Sequence, residues 1–231
     1  MALQRTEKTG TVSARDLLKL AHAPEPTARI FGVSGSPRAG GNSDTLLRTI
    51  VEAAEGSAEP PLPSMTVHLP SLDVNGCIGC ERCRKDRICT GQIDGMSALY
   101  EPFLASKGLV LVTPMHNYSM TSWMKAFIDR LYCFYRFSEE RPGPWSSRIA
   151  DQGRKAAVAV ICEQREADDA RALVATLVRP LRDLGIETLG SMTVTSLFDR
   201  KGLARRPDVL AEGQALGREL GAALTGTPGR N

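Results

Sequence analysis

Two hydrophobic rhythms divide the chain. Short, nearly continuous apolar runs occur at about Ala28–Val33, Met65–Leu69, Gly108–Thr113, Lys155–Cys162 and Ile186–Val194. Runs of that kind suit strands covered on both faces, as in a parallel sheet. Between them apolar residues fall at helical spacing, as Leu46, Leu47, Ile50 and Val51 do within Ser43–Glu55. The same rhythm predicts helices over Ser13–Leu20, Asp94–Ala105, Thr121–Tyr135, Asp168–Leu184 and Pro207–Leu224. Ser13 and Asp94 stand where an N-cap is needed, and Pro180 is expected to end or interrupt its helix.

Polar or Pro/Gly-rich stretches fill the rest: Ala58–Pro63, Ser71–Gly91, Pro114–Met120 and Arg136–Gly153. Five strands alternating with helices predict an α/β fold. Its centre is one doubly wound, five-stranded parallel sheet with helices on both faces. The domain is expected over residues 28–224, with a Cys-rich loop at 71–91. Residues 1–27 form an N-terminal extension that packs on the domain or on a partner subunit. Residues 225–231 are expected to be a mobile tail.

Composition narrows the classes of function. Of 231 residues, 42% are hydrophobic and 24% charged, which suits a packed core and argues against global disorder. A net charge of +3 is too weak to argue for nucleic acid, yet it suits a small anionic ligand. No apolar run approaches the roughly 20 residues of a membrane span. The N-terminus lacks a signal peptide's apolar stretch. The expected compartment is therefore cytoplasmic and reducing, where clustered cysteines read as metal or redox ligands.

In doubly wound sheets, ligands bind beyond the carboxyl ends of the strands, at the switch point. Two loops are expected to meet there, Ser34–Asn42 and Pro114–Ser119. The first lies between a strand and a helix N-terminus, which offers free amides and a positive helix end to an anion. Ser34, Ser36, Ser43 and Thr45 add hydroxyls, Asn42 an amide, Arg38 a charged donor, and Asp44 completes the loop. The P-loop pattern is absent, and so is an orderly G-x-G-x-x-G. Hydroxyl-rich loops suit a terminal phosphomonoester. A plain strand–helix connection is the bland alternative, since Ser, Gly, Pro and Asn all favour turns.

Cys77, Cys80, Cys83 and Cys89 follow a C-x2-C-x2-C-x5-C spacing. Structural zinc usually takes two knuckles set further apart. A [4Fe–4S] cluster commonly uses such a compact run, with Arg82, Arg84, Lys85 and Arg87 offsetting its negative charge. Free thiols or a reversible disulfide remain open. Cys133 and Cys162, in a helix and a strand, read as buried and inert. Trp123, Phe127, Ile128, Leu131 and Phe134 fall at helical spacings and read as core. Lys125, Asp129 and Arg130 read as an ion pair and a solvated face.

The segment Ser34-Gly35-Ser36-Pro37-Arg38 with Gly41-Asn42-Ser43 resembles a known phosphate loop. It is that of the NAD(P)H-dependent FMN reductase and iron–sulfur flavoprotein group of flavodoxin-like proteins. Thr113–Arg130 resembles the same group's second flavin loop and its helix. The resemblance implies a flavodoxin-like sheet that holds FMN, with Pro114, Met115, His116, Asn117, Tyr118 and Ser119 around the flavin ring. It implies NAD(P)H as co-substrate, an oxidoreductase activity, a possible [4Fe–4S] cluster on the four cysteines, and a homodimer or homotetramer. The electron acceptor is a small molecule or a protein; neither nucleic acid nor membrane is expected as a partner. The group more often has Tyr where His116 stands, so His116 is a weak candidate for proton relay and more readily a packing residue. The alternatives are a non-enzymatic electron carrier and a thiol redox sensor.

Overall fold

Each central strand buries both of its faces, because its side chains alternate between two cores. In β3, Leu109 and Leu111 enter one core while Val110 and Val112 enter the other. The computed structural model describes residues 12–226. Its strands are β1 (Thr27–Ser34), β2 (Ser64–His68), β3 (Ser106–His116), β4 (Ser119–Met120), β5 (Tyr135–Phe137), β6 (Trp145–Ser147), β7 (Lys155–Ile161) and β8 (Glu187–Val194). Its α-helices are α1 (Ala14–Lys19), α2 (Asn42–Glu55), α3 (Arg82–Asp86), α4 (Tyr100–Ala105), α5 (Ser122–Arg130), α6 (Arg171–Asp183) and α7 (Pro207–Thr225).

Five strands run parallel in the order β2-β1-β3-β7-β8, and β4 folds back antiparallel on the end of β3. The chain moves outward from β1 to β2, then returns to β3 on the other side of β1. The switch point therefore lies between β1 and β3. This is the flavodoxin-like arrangement expected. Helices α2 and α7 cover one face. The other face carries an aromatic core that includes Tyr100, Phe103, Phe127 and Phe134.

Several boundaries differ from the sequence reading. The Asp94–Ala105 helix is split into a 3-10 turn, Gly95–Leu99, and α4. Pro102 explains the split: it lacks an amide donor and is tolerated only in a first turn. Asp94 caps the turn, accepting from the Met96 amide at 3.0 Å. Likewise α5 stops at Arg130 and a 3-10 turn carries Leu131–Phe134. Helix α6 runs through Pro180 to Asp183, because Leu177 and Leu181 on one face stay fully buried. The expected loop Arg136–Gly153 holds the hairpin β5–β6. Thr225 belongs to α7, which ends at Gly226 in the left-handed conformation; residues 227–231 of the expected tail lie outside the described residues.

Residues 12–26 contact the sheet domain. Leu17 is buried in the aromatic core, and Arg148 donates to the Ala21 carbonyl at 2.5 Å. Residues 1–11 lie outside the described residues. No described helix is long and apolar enough to cross a membrane.

Helix α7 approaches α2 closely along Gly213, Gly217 and Gly221. A Cβ on Gly217 would fall 2.2 Å from the Ile50 carbonyl oxygen. Gly217→Ala must push the helices apart and is expected to cost about 1–3 kcal/mol, read by urea denaturation.

Candidate functional site

The carboxyl ends of β1 and β3 open into a cleft of about 420 Å3. One wall is the loop after β1. The other is the tip of the β3–β4 hairpin. Of the residues expected here, Ser36, Arg38, Asn42, Ser43, Pro114, Met115, His116, Asn117 and Tyr118 line the cleft. Ser34, Asp44, Thr45 and Ser119 do not.

The loop's internal bonds explain this sorting. Asp44 is fully buried and accepts from the Ser34 hydroxyl at 2.5 Å and the Gly40 amide at 2.7 Å. It ties the loop's two ends together and is turned away from the cleft. The Nε2 of His68, 3.9 Å from the Asp44 carboxylate, has no hydrogen-bond partner among the described residues. Thr45 donates to the Gly41 carbonyl at 3.0 Å, inside the first turn of α2. The Gly35 carbonyl accepts from Thr121 at 2.7 Å, which fastens this loop to the N-cap of α5.

What remains free is a set of donors. Gly41 caps α2 with no side-chain bond. Among the described residues, the amides of Asn42 and Ser43 and the Ser43 hydroxyl have no partner. Ser43 is only 3% exposed. Asn42 and Ser43 line the cleft, so these unpaired donors stand open to an acceptor that a ligand supplies. At a helix N-terminus that ligand is an anion. The donor set therefore fits a phosphate ester such as that of FMN.

The hairpin tip is held open to the cleft. Asn117 and Tyr118 both carry positive φ, 47° and 61°, as a primed two-residue turn requires. Asn tolerates this region; Tyr does not without strain. Tyr118 is 60% exposed. His116 and Ser119 pair across the hairpin, and His116 is exposed at the rim.

Two further segments complete the cleft. Ile161, at the end of β7, and Cys162, Glu163 and Gln164 after it form one of them. Leu197, Phe198 and Arg200 follow β8 and were not foreseen. The signal available was position alone: every parallel strand's carboxyl end points to this site. Asn42 binds this segment, donating to the Asp199 carbonyl at 2.6 Å and accepting from the Leu203 amide at 3.1 Å. Arg38 donates to the Phe198 carbonyl at 3.0 Å. Cys162 faces the cleft although burial pushes its thiol pKa up.

The expected metal set is not gathered. Cys77, Cys80, Cys83 and Cys89 are free thiols. Among the described residues, no group of three or more His, Cys, Asp or Glu stands close enough to hold a metal ion. The loop is nevertheless built and fastened. Burial, with Cys89, Cys77 and Cys80 nearby, pushes the Cys83 thiol up to about 11. A thiol that burial keeps protonated is one that a metal or cluster would have to deprotonate on binding. Arg130 was read as surface, yet it is 2% exposed. It reaches the Asn75 and Gln92 carbonyls on either side of the cysteines. The β5–β6 hairpin holds the loop from outside through the Glu81–Arg141 pair, at 2.6 Å, and Arg84 over the Phe137 ring.

The expected core residues hold: Phe127, Ile128, Leu131 and Phe134 are buried and Trp123 packs against them. Lys125 and Asp129 pair in solvent at 2.6 Å. Cys133 is buried, which raises its thiol pKa.

A family model described as NADPH-dependent FMN reductase matches residues 28–180. An iron–sulfur flavoprotein of Methanocaldococcus jannaschii is 29% identical over 102 residues, 44% of this chain and 51% of that protein. One from Methanosarcina thermophila is 30% identical over 102 residues, again 44% and 51%. The chain spans about half the length of these curated relatives. Among solved structures, an NAD(P)H:quinone oxidoreductase from Methanothermobacter marburgensis superposes with a TM-score of 0.65 at 14% identity, covering 84% of this chain and 99% of that one. An FMN-dependent NADH-azoreductase from Bacillus anthracis does so with 0.60 at 15%, covering 87% and 100%. Similarity at those identities establishes the fold.

Proposed function

The chain belongs to the NADPH-dependent FMN reductase family, and from that premise we propose an FMN-dependent oxidoreductase that takes electrons from NAD(P)H and passes them to a small-molecule or protein acceptor. The free donors at the start of α2 carry this reading. Bound FMN would supply the redox chemistry. The chain's own part is to hold and shield it. The amides of Asn42 and Ser43, the Ser36 and Ser43 hydroxyls and the Arg38 guanidinium would take the phosphate. Pro114–Tyr118 would flank the ring, with His116 an edge contact, and a two-sided cleft would exclude water. The test is anaerobic NAD(P)H oxidation by FMN-loaded protein with quinone, azo and free-flavin acceptors. Turnover with any of them supports the enzyme; none with all of them rejects it.

A second reading is an electron carrier, favoured by the fastened four-thiol loop. Here Cys77, Cys80, Cys83 and Cys89, which stand too far apart in this structure to hold a metal ion, would have to draw together to hold a [4Fe–4S] cluster, a reading supported by their spacing in the sequence and by the relatives' names. Such a cluster would exchange single electrons. Iron and flavin counts on anaerobically purified protein decide it: about four irons per chain support the cluster, and flavin without iron removes it. A homodimer or homotetramer in the cytoplasm completes the proposal. Elution as a monomer at micromolar concentration would remove the oligomer.

Tyr118→Gly tests the hairpin tip. Relief of left-handed strain, about 1–2 kcal/mol, offsets glycine's entropic cost of about 0.5–1 kcal/mol. Stability is expected to change by less than about 1 kcal/mol. Loss of the aromatic face is expected to weaken FMN up to about tenfold in a fluorescence titration. Unchanged affinity would take Tyr118 out of the site.

A further inference from the structure

Beside the proposed flavin cleft lies a second hollow of about 400 Å3. Leu197 and Phe198 line both, so the two adjoin at the Phe198 ring. Ser196, Asp199, Gly202, Arg205 and Arg206 form the rest of its wall. The segment that carries it is braced to the phosphate loop by Asn42, by Arg38, and by Arg200, which donates to the Ala39 carbonyl at 3.1 Å. Within this braced frame Phe198 remains 64% exposed. Arg38 lies over one face of this ring, 5.1 Å from its centroid, and the exposed remainder of the ring offers a stacking surface between the two hollows.

The charges around it have the sign a phosphate needs. Arg205 pairs with Asp199 at 2.7 Å, and Arg206 with Asp208 at 2.9 Å. Both pairs are solvent-exposed, and exposed pairs contribute little. A phosphate presents more acceptor oxygens and more charge to the same guanidinium forks, and displaces a carboxylate from them. Arg205 and Arg206 lie outside the first cleft, where they cannot serve the FMN phosphate.

We propose that this hollow is the adenosine subsite of the reduced dinucleotide, with adenine stacked on Phe198 and a ribose 2′-phosphate held by Arg205 and Arg206. The proposal rests on the reading of the first cleft as the flavin site. It makes the protein selective for NADPH, because NADH offers a hydroxyl where NADPH offers the phosphate.

The experiment uses FMN-loaded protein, wild type and the double variant R205A/R206A. KM is measured for NADPH and NADH, and 2′,5′-ADP and 5′-AMP are titrated calorimetrically as probes independent of turnover. The double variant is expected to raise the NADPH KM by about tenfold or more and to weaken 2′,5′-ADP by a similar factor. Its NADH KM and FMN affinity stay at the wild-type values. Asp208→Asn, which frees Arg206, is expected to tighten 2′,5′-ADP. Equal KM shifts for both dinucleotides, or no binding of 2′,5′-ADP to wild type, overturn the subsite. Failure of the flavin reading looks different: wild type then oxidises neither dinucleotide, while 2′,5′-ADP still reports on the hollow.

Discussion

Arg130→Ala is expected to lower the unfolding free energy by about 3–5 kcal/mol, the cost of leaving a buried charge without its partner. The guanidinium donates to both Asp94 oxygens, at 2.8 and 3.2 Å. It also donates to the carbonyls of Asn75, at 3.0 Å, and Gln92, at 3.2 Å. Burial pulls the guanidinium pKa down, and the Asp94 carboxylate more than restores it, so Arg130 stays charged. In Arg130→Ala, Asp94 keeps the amides of Met96 and Asn75 but loses the one cation paired with it among the described residues. Two carbonyls lose their donor as well. Arg130→Lys keeps the charge but not the fork, and is expected to recover part of the loss. Chemical denaturation gives the free energies. Alkylation of Cys77, Cys80, Cys83 and Cys89 gives a local readout, since both ends of their loop hang on this side chain. An Arg130→Ala protein within about 1 kcal/mol of wild type, with unchanged thiol reactivity, would refute the anchoring role.

Arg130 also shows where the sequence was legible and where it was not. Phe127, Arg130 and Phe134 lie three and four residues apart, on one helical face. The spacing put Arg130 among core residues; its charge argued for solvent, because an arginine is rarely buried unless paired. The partner, Asp94, is remote in sequence and was recognised only as a cap. The central strands β1, β3 and β7 were legible because each is apolar on both faces, and their alternation with helices pointed to a parallel sheet. The hairpin β5–β6 was not, since three-residue strands such as Tyr135–Phe137 leave no measurable alternation. In the phosphate loop, residue types marked the place but not the direction of each side chain. Ser34, Asp44 and Thr45 turn inward, while Ser36 and Ser43 reach the cleft. Phe198 and Arg200 follow a strand end with no motif of their own, so only the folded sheet brings them to the site.

Asp44→Ala is expected to weaken FMN binding about a hundredfold. The carboxylate accepts from Ser34 Oγ and Gly40 N, which lie at opposite ends of the loop. Charge-assisted hydrogen bonds of this kind contribute about 1.5–3 kcal/mol each. Without them the loop opens in the free protein, and binding must close it again. About 3 kcal/mol of closing cost is about a hundredfold in affinity. A second effect has the opposite sign: a buried negative charge beneath an anion site repels the anion, so its removal alone would tighten binding. Asp44→Asn separates the two. It removes the charge and keeps the volume, but its amide nitrogen meets one of the two donors and only its oxygen accepts. If loop geometry dominates, Asp44→Asn binds FMN less tightly than wild type and more tightly than Asp44→Ala. If repulsion dominates, Asp44→Asn binds more tightly than wild type. The full burial of Asp44 and its two short hydrogen bonds favour the first outcome. Flavin-fluorescence titration supplies the affinities, and thermal unfolding of each apoprotein separates loop order from global stability. Tighter binding by either variant would show that Asp44 does not organise this loop for its ligand.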